Sequence, residues 1–284
     1  MLSYRHAFHA GNHADILKHS TLSLLLQHLR QKDKPFVYMD THAGAGLYDL
    51  GSDWAQKTGE AQQGIARIWT EQAAWPSLHA YFQSIAALQS DPGTARYYPG
   101  SPAIAGQLLR PQDALLLCEL HRHEFQCLRH NMGQDKRVAL HQRDGFEALG
   151  ALLPPTPKRG LVLIDPPYEQ RSDYQAVSRS LHKALQRWAT GQYMVWYPCL
   201  AKQRDASQTL LTALQNLPCR SLLRVELTVR EQAPELGMHG SGLAIINAPW
   251  QLDKQLEAIL PRLCQTLKVT DAATWRVEWL RQAS

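Results

Sequence analysis

The chain has 284 residues, of which 44% are hydrophobic and 19% charged, so it is not a disordered polymer and is long enough to bury a core without staples. Lys and Arg number 30 against 25 Asp and Glu, a net charge of +5 that is compatible with a polyanion partner but does not by itself require one. No apolar run approaches the roughly 18–20 residues of a membrane span, and the His-rich start MLSYRHAFHAGNHADILKHS lacks a signal-peptide core. Cys118, Cys127, Cys199, Cys219 and Cys264 are odd in number and form no CxxC, which points to free thiols in a reducing cytoplasm.

In chain order, the apolar spacing predicts a helix over 15–31, stopped by Asp-Lys-Pro, then a strand over 35–40 and a small-residue loop at 41–46. Residues 50–99 read as helices broken at Pro76, Pro92 and Pro99, with no strand. From 114 the pattern alternates. Strands are expected at 114–120, 137–142, 161–168, 193–198, 221–229 and 242–250, with helices between them and a last helix over 252–266. The last two strands suit an antiparallel pair. Alternation with uninterrupted apolar strands predicts a mostly parallel α/β sheet covered on both faces. The expected division is one domain from 1–49 and 100–284, its first 34 residues a cap and helix, with 50–99 as a helical insertion.

Two motifs carry chemistry. Asp40-Thr41-His42-Ala43-Gly44-Ala45-Gly46 follows the first strand, where glycines let backbone approach a ligand. Asp49 stands where a dinucleotide fingerprint has its third glycine, so this loop alone reads equally well as a tight turn. The second strand ends at Glu119, a carboxylate suited to a ribose diol. The 75 residues from Gly44 to Glu119 far exceed a βαβ unit of about 30, which is why 50–99 reads as inserted.

The second motif, Asp165-Pro166-Pro167-Tyr168, ends the run LVLI. Two prolines cannot continue a sheet ladder, so they fix a rigid turn at the carboxyl end of the strand. That turn offers a carboxylate, a proline carbonyl and an aromatic ring. Two acceptors suit an exocyclic amino group, and the ring suits a base taken out of its helix.

These motifs, with MLSYRHAFHAGNHADILKH, RYYPGSP and LVLIDPPYEQRSDYQAV, resemble the bacterial 23S ribosomal RNA (adenine-N6)-methyltransferase J family, from residue 1 to about Trp250. The resemblance implies a Rossmann-like class I methyltransferase sheet with an antiparallel last strand, S-adenosylmethionine as cofactor, no metal, and 23S ribosomal RNA as partner. It makes Asp165, Pro166, Pro167 and Tyr168 catalytic. His19, His42, Gly44, Gly46, Ser101, Glu119, Asp144 and Gly145 become cofactor contacts, and Tyr4 a substrate contact in a segment that covers the pocket. A cytoplasmic monomer acting before the ribosomal subunit is complete is the accompanying expectation.

Three features are weighed beside this. His6, His9 and His13 could share a helix face and bind zinc, but Gly11-Asn12 breaks the helix and no Cys completes a site. Trp54, Trp69 and Trp75 suit a core for the insertion better than an RNA surface. Residues 158–230 hold 11 basic and 5 acidic side chains, and Lys158-Arg159 is the expected RNA-facing patch. A DNA adenine-N6 methyltransferase and a non-catalytic RNA-binding protein on the same fold stay open as alternatives.

Overall fold

The computed structural model describes residues 6–91 and 93–282. Eight strands form one sheet: β1 (Val37–Asp40), β4 (Ala114–Cys118), β5 (Val138–His141), β6 (Gly160–Ile164), β7 (Gln192–Leu200), β8 (Leu222–Thr228), β9 (Met238–Ile246) and β10 (Thr274–Arg281). Their spatial order is β10-β8-β9-β7-β6-β1-β4-β5. The five strands β7-β6-β1-β4-β5 are parallel, while β9 runs antiparallel between β7 and β8, and β10 runs antiparallel to β8.

Period-two alternation sends the strand residues into two cores. Leu161 and Leu163 face a layer built from α1 (His13–Arg30), α6 (Ser101–Leu108), α7 (Arg122–Met132) and α11 (Leu252–Leu267). Val162 and Ile164 face α8 (Gly145–Leu152), α9 (Arg171–Arg187) and α10 (Ser207–Gln215). Helix α1 is capped by Asn12, whose side chain accepts from the Ala14 and Asp15 amides. It packs against α6, β9, α11 and the insertion, so even Asp15, Lys18, His19 and Ser23 are buried. No helix among the described residues is long and apolar enough to cross a membrane. All five cysteines are unpaired.

Residues 50–99 hold α2 (Asp53–Thr58), α3 (Glu60–Gln63), α4 (Ile65–Trp69) and α5 (His79–Ala86). One expectation is corrected here, because the stretch is not strand-free. β3 (Tyr97–Pro99) pairs antiparallel with β2 (Leu47–Asp49), joining the point where the insertion leaves to the point where it returns. Trp69 and Trp75 are buried in the same core as α1, whereas Trp54 is exposed and stacks on Phe8. The chain also does not end on a helix. Strand β10 was missed, although its alternating Trp275, Val277 and Trp279 carried a period-two signal.

The basic stretch 158–230 is divided by the fold. Arg159 precedes β6 at its amino end and donates to the carbonyls of Leu29 and Lys34, closing the end of α1. Asp165 lies at the other end of the strand, about 20 Å away at 3.3 Å per residue. Lys158-Arg159 therefore does not flank the proline motif.

Candidate active site

Strand β1 is the point where the order reverses, since the chain moves from β1 to β4 and β5 on one side and from β6 to β7 on the other. Open α/β sheets bind ligands in the crevice outside the carboxyl ends at such a point. A cavity of about 290 Å³ lies there. His19, His42, Gly44, Ser101, Glu119, Asp144, Gly145, Asp165, Pro166 and Pro167 all line it. These residues come from six separate elements and loops, and only the fold brings them together.

Asp40 ends β1 and is fully buried beneath the cavity. It accepts from the Tyr38 hydroxyl at 2.7 Å, the Ser101 hydroxyl at 2.6 Å and the His42 amide at 3.2 Å. Burial pushes its carboxyl up to about 6. Ser101 spends its one hydroxyl proton on Asp40, so towards the cavity it offers lone pairs.

Gly44 has φ +60°, and a Cβ there would lie 2.4 Å from the Tyr48 hydroxyl. Its amide donates to Glu119 Oε2 at 2.9 Å, and the His121 amide donates to Oε1 at 2.7 Å. Glu119 is thus aimed by backbone, with burial pushing its carboxyl up. Gly46 departs from expectation. Its missing side chain makes room for Leu128 and Met132, it does not line the cavity, and its φ of +76° marks a packing turn.

Asp144 caps α8, with Oδ1 accepting from the amides of Phe146 at 2.7 Å and Glu147 at 3.2 Å. A Cβ on Gly145 would stand 2.1 Å from the Thr41 carbonyl oxygen, so no side chain fits where the two loops meet. The Thr41 hydroxyl donates to the Leu163 carbonyl, so it accepts from His42 Nδ1, 2.8 Å away. His42 is therefore protonated on Nδ1 and keeps a lone pair on Nε2.

Burial lowers His42 to about 4, His13 to about 4 and His19 to about 3. Such imidazoles are neutral in the fold and take up protons on unfolding. Their contribution is complete above 6.5 and is lost as pH falls towards 4 and 3. At pH 5 the loss is about 2 kcal/mol for each histidine, offset in part by Asp40, whose raised value works in the opposite sense. The urea midpoint is expected to drop markedly between pH 7.5 and 5. An unchanged midpoint would mean that these rings are not held neutral.

Asp165 follows β6, and its Oδ2 accepts from Lys18 Nζ at 2.7 Å. The same ammonium lies 2.9 Å from Asp15 Oδ1. Tyr168 is a second correction. At φ +50° the turn carries its ring into the core, 4.5 Å from the Tyr174 ring, with its hydroxyl donating to the Trp196 carbonyl. Only 5% of it is exposed and it does not line the cavity, so it braces the turn instead of presenting a stacking face. The aromatic rings at the cavity wall are Phe146, Trp196 and Tyr48. Tyr4 lies outside the described residues.

Sequence reasoning missed Lys18, Asp40 and Trp196. The spacing of Asp15, Lys18 and His19 at i, i+3 and i+4 was a visible sign of one shared helix face. The three N-terminal histidines diverge. His6 meets Asp15 at 2.9 Å, His9 meets Glu60 at 2.9 Å, and His13 is half-buried near Glu60, Arg230 and His239.

A family model described as "Ribosomal RNA large subunit methyltransferase D, RlmJ" matches residues 33–281. The protein named Ribosomal RNA large subunit methyltransferase J of Escherichia coli (strain K12) is 46% identical over 280 residues, covering 99% of each chain. Its namesake in Haemophilus influenzae is 44% identical over 280 residues, again covering 99% of each. A crystal structure of protein LPL1258 from Legionella pneumophila matches with a TM-score of 0.87 at 37% identity, covering 95% of this chain and 98% of that one.

Proposed function

The chain belongs to the family of ribosomal RNA large subunit methyltransferases so described, and from that premise we propose that it methylates the N6 amino group of an adenine in 23S ribosomal RNA. The observation that carries the reading is the meeting of Asp165-Pro166-Pro167 with Glu119 and Asp144 around one cavity.

The residues present fit S-adenosylmethionine. Glu119, held by two backbone amides, suits the ribose hydroxyls, and Asp144 suits the adenine amino group. Ser101 offers lone pairs to an ammonium, and Gly44 and Gly145 leave the walls clear of side chains. When bound, the cofactor supplies an electrophilic methyl on a sulfonium.

The rest falls to the protein. The N6 lone pair of adenine is delocalised into the ring and is a weak nucleophile. Asp165 and the Pro166 carbonyl accept the two N–H bonds, which favours a pyramidal nitrogen with its lone pair directed at the methyl group. Lys18 engages Asp165 Oδ2, and Oδ1 has no hydrogen bond among the described residues, so Oδ1 is the acceptor for the amino group. Holding both reactants in line can supply about 7–11 kcal/mol of the barrier in favourable cases. Asp165 then takes the proton that the nitrogen sheds.

RNA reaches the cavity past the loop that follows β7. Arg171 donates to the Gln203 carbonyl, which ties exposed Lys202 and Arg204 to the first turn of α9. Neighbouring Glu169 and Gln170 line the cavity. Reversing Lys202 and Arg204 to Glu is expected to weaken RNA binding about tenfold and to flatten its salt dependence. Reversing Lys158 is expected to change neither. The opposite result, read by titration at two salt concentrations, would move the RNA to the other edge of the sheet.

The setting proposed is the cytoplasm, with the protein a monomer and the subunit not yet complete. Transfer of labelled methyl to naked 23S RNA, assembled large subunits and duplex DNA tests the whole reading. Naked RNA is expected to be the best substrate. Label confined to duplex DNA would make this a DNA enzyme, and cofactor binding without transfer to any of the three would make it a binding protein.

A further inference from the structure

Asp15 is a carboxylate with 1% of its surface exposed that does not line the cavity, yet its partners do. Its Oδ1 lies 2.9 Å from Lys18 Nζ and 3.9 Å from His19 Nε2. Its Oδ2 accepts from the Gly11 amide at 2.9 Å and lies 2.9 Å from His6 Nε2. Lys18, His19 and His6 are all cavity residues. Burial pushes the Asp15 carboxyl up, but His6 and Lys18 outweigh it and hold the group well below the usual carboxylate range. A buried, ionised carboxylate is costly unless its partners are fixed.

We propose that Asp15 is a positioning residue for methyl transfer, acting through Lys18. This rests on the adenine-N6 reading above. An ammonium on a four-carbon stem has three rotatable donors and no preferred plane. Paired with Asp165 alone, it could swing to either carboxylate oxygen and compete with the incoming amino group. Anchored by Asp15, it is confined to Oδ2. The Asp165 carboxylate is then held in one plane, with Oδ1 presented to the base. Asp15 reaches the reacting atoms through that one intermediary and touches none of them.

The competing role is purely structural, since Asp15 also accepts the Gly11 amide next to the start of α1. A double-mutant cycle separates the two. Single-turnover methyl transfer to 23S RNA is measured for wild type, Asp15→Asn, Lys18→Met and the double variant, with cofactor and RNA affinities measured separately. Asp15→Asn is expected to slow the chemical step about tenfold or more, with both affinities within about threefold. The double variant is expected to be no slower than Lys18→Met. A double variant slower by the full factor of Asp15→Asn, or wild-type turnover in Asp15→Asn, overturns the proposal. If Asp15→Asn does not fold, the double variant against Lys18→Met decides alone, because it removes the buried charge together with its partner. An inactive wild type overturns the adenine-N6 reading and this proposal together, whereas an additive cycle in an active enzyme overturns this one only.

Discussion

Asp165→Asn is expected to reduce single-turnover methyl transfer by about 10²–10⁴-fold, the range typical of a lost proton acceptor. The amide keeps the shape of the carboxylate but loses its charge and one acceptor. It also faces Lys18, which then still has Asp15 as an anionic partner. The substrate N–H bond meets a weaker acceptor, and the proton shed at nitrogen has no base to receive it. Cofactor affinity should change by no more than about threefold, because the residues suited to the ribose and adenine, Glu119 and Asp144, are untouched. Calorimetry with the cofactor and a rate measurement with RNA check both halves. Wild-type turnover would remove Asp165 from its role.

Glu119→Ala should act in the opposite way, on binding first. Hydrogen bonds to a charged group contribute about 1.5–3 kcal/mol, so losing the ribose acceptor is expected to raise the cofactor dissociation constant by roughly 10–150-fold. The same change frees the Gly44 and His121 amides, which hold the glycine loop in place. Rate at saturating cofactor should fall much less than affinity. Unchanged affinity with reduced rate would place Glu119 on the substrate side.

The site was legible in the sequence where chemistry and strand ends coincide. Glu119, Asp144 and Asp165 each follow an apolar run, and all three line the cavity. What could not be read is direction and distance. Lys18 lies 147 residues from Asp165, and no local pattern says which face of α1 meets β6. Tyr168 misled because residue type suggests a stacking ring, whereas a positive φ decides where the ring goes. The basic stretch 158–230 misled in a similar way, because charge counted along a chain ignores which end of a strand each residue occupies. In the fold, α/β alternation indicated the parallel strands correctly, while β2 and β3 are three-residue strands too short to show a period.

The pairing of those two short strands has a consequence for how the site is wired. The Gly100 amide donates to the Gly46 carbonyl at 2.9 Å, so residues far apart along the chain become neighbours at the foot of the insertion. For the cavity, the glycine loop and the helix bearing Ser101 behave as the two arms of a short hairpin. The intervening helices form a detour that begins and ends at one spot. Closing a loop costs entropy that grows only with the logarithm of its length, so changes at the exposed turns of such a detour add little closure cost, provided the residues packed on α1 are kept. Evolution can therefore revise the outer surface of 50–99 while the distance from Ser101 to Asp40 stays constant.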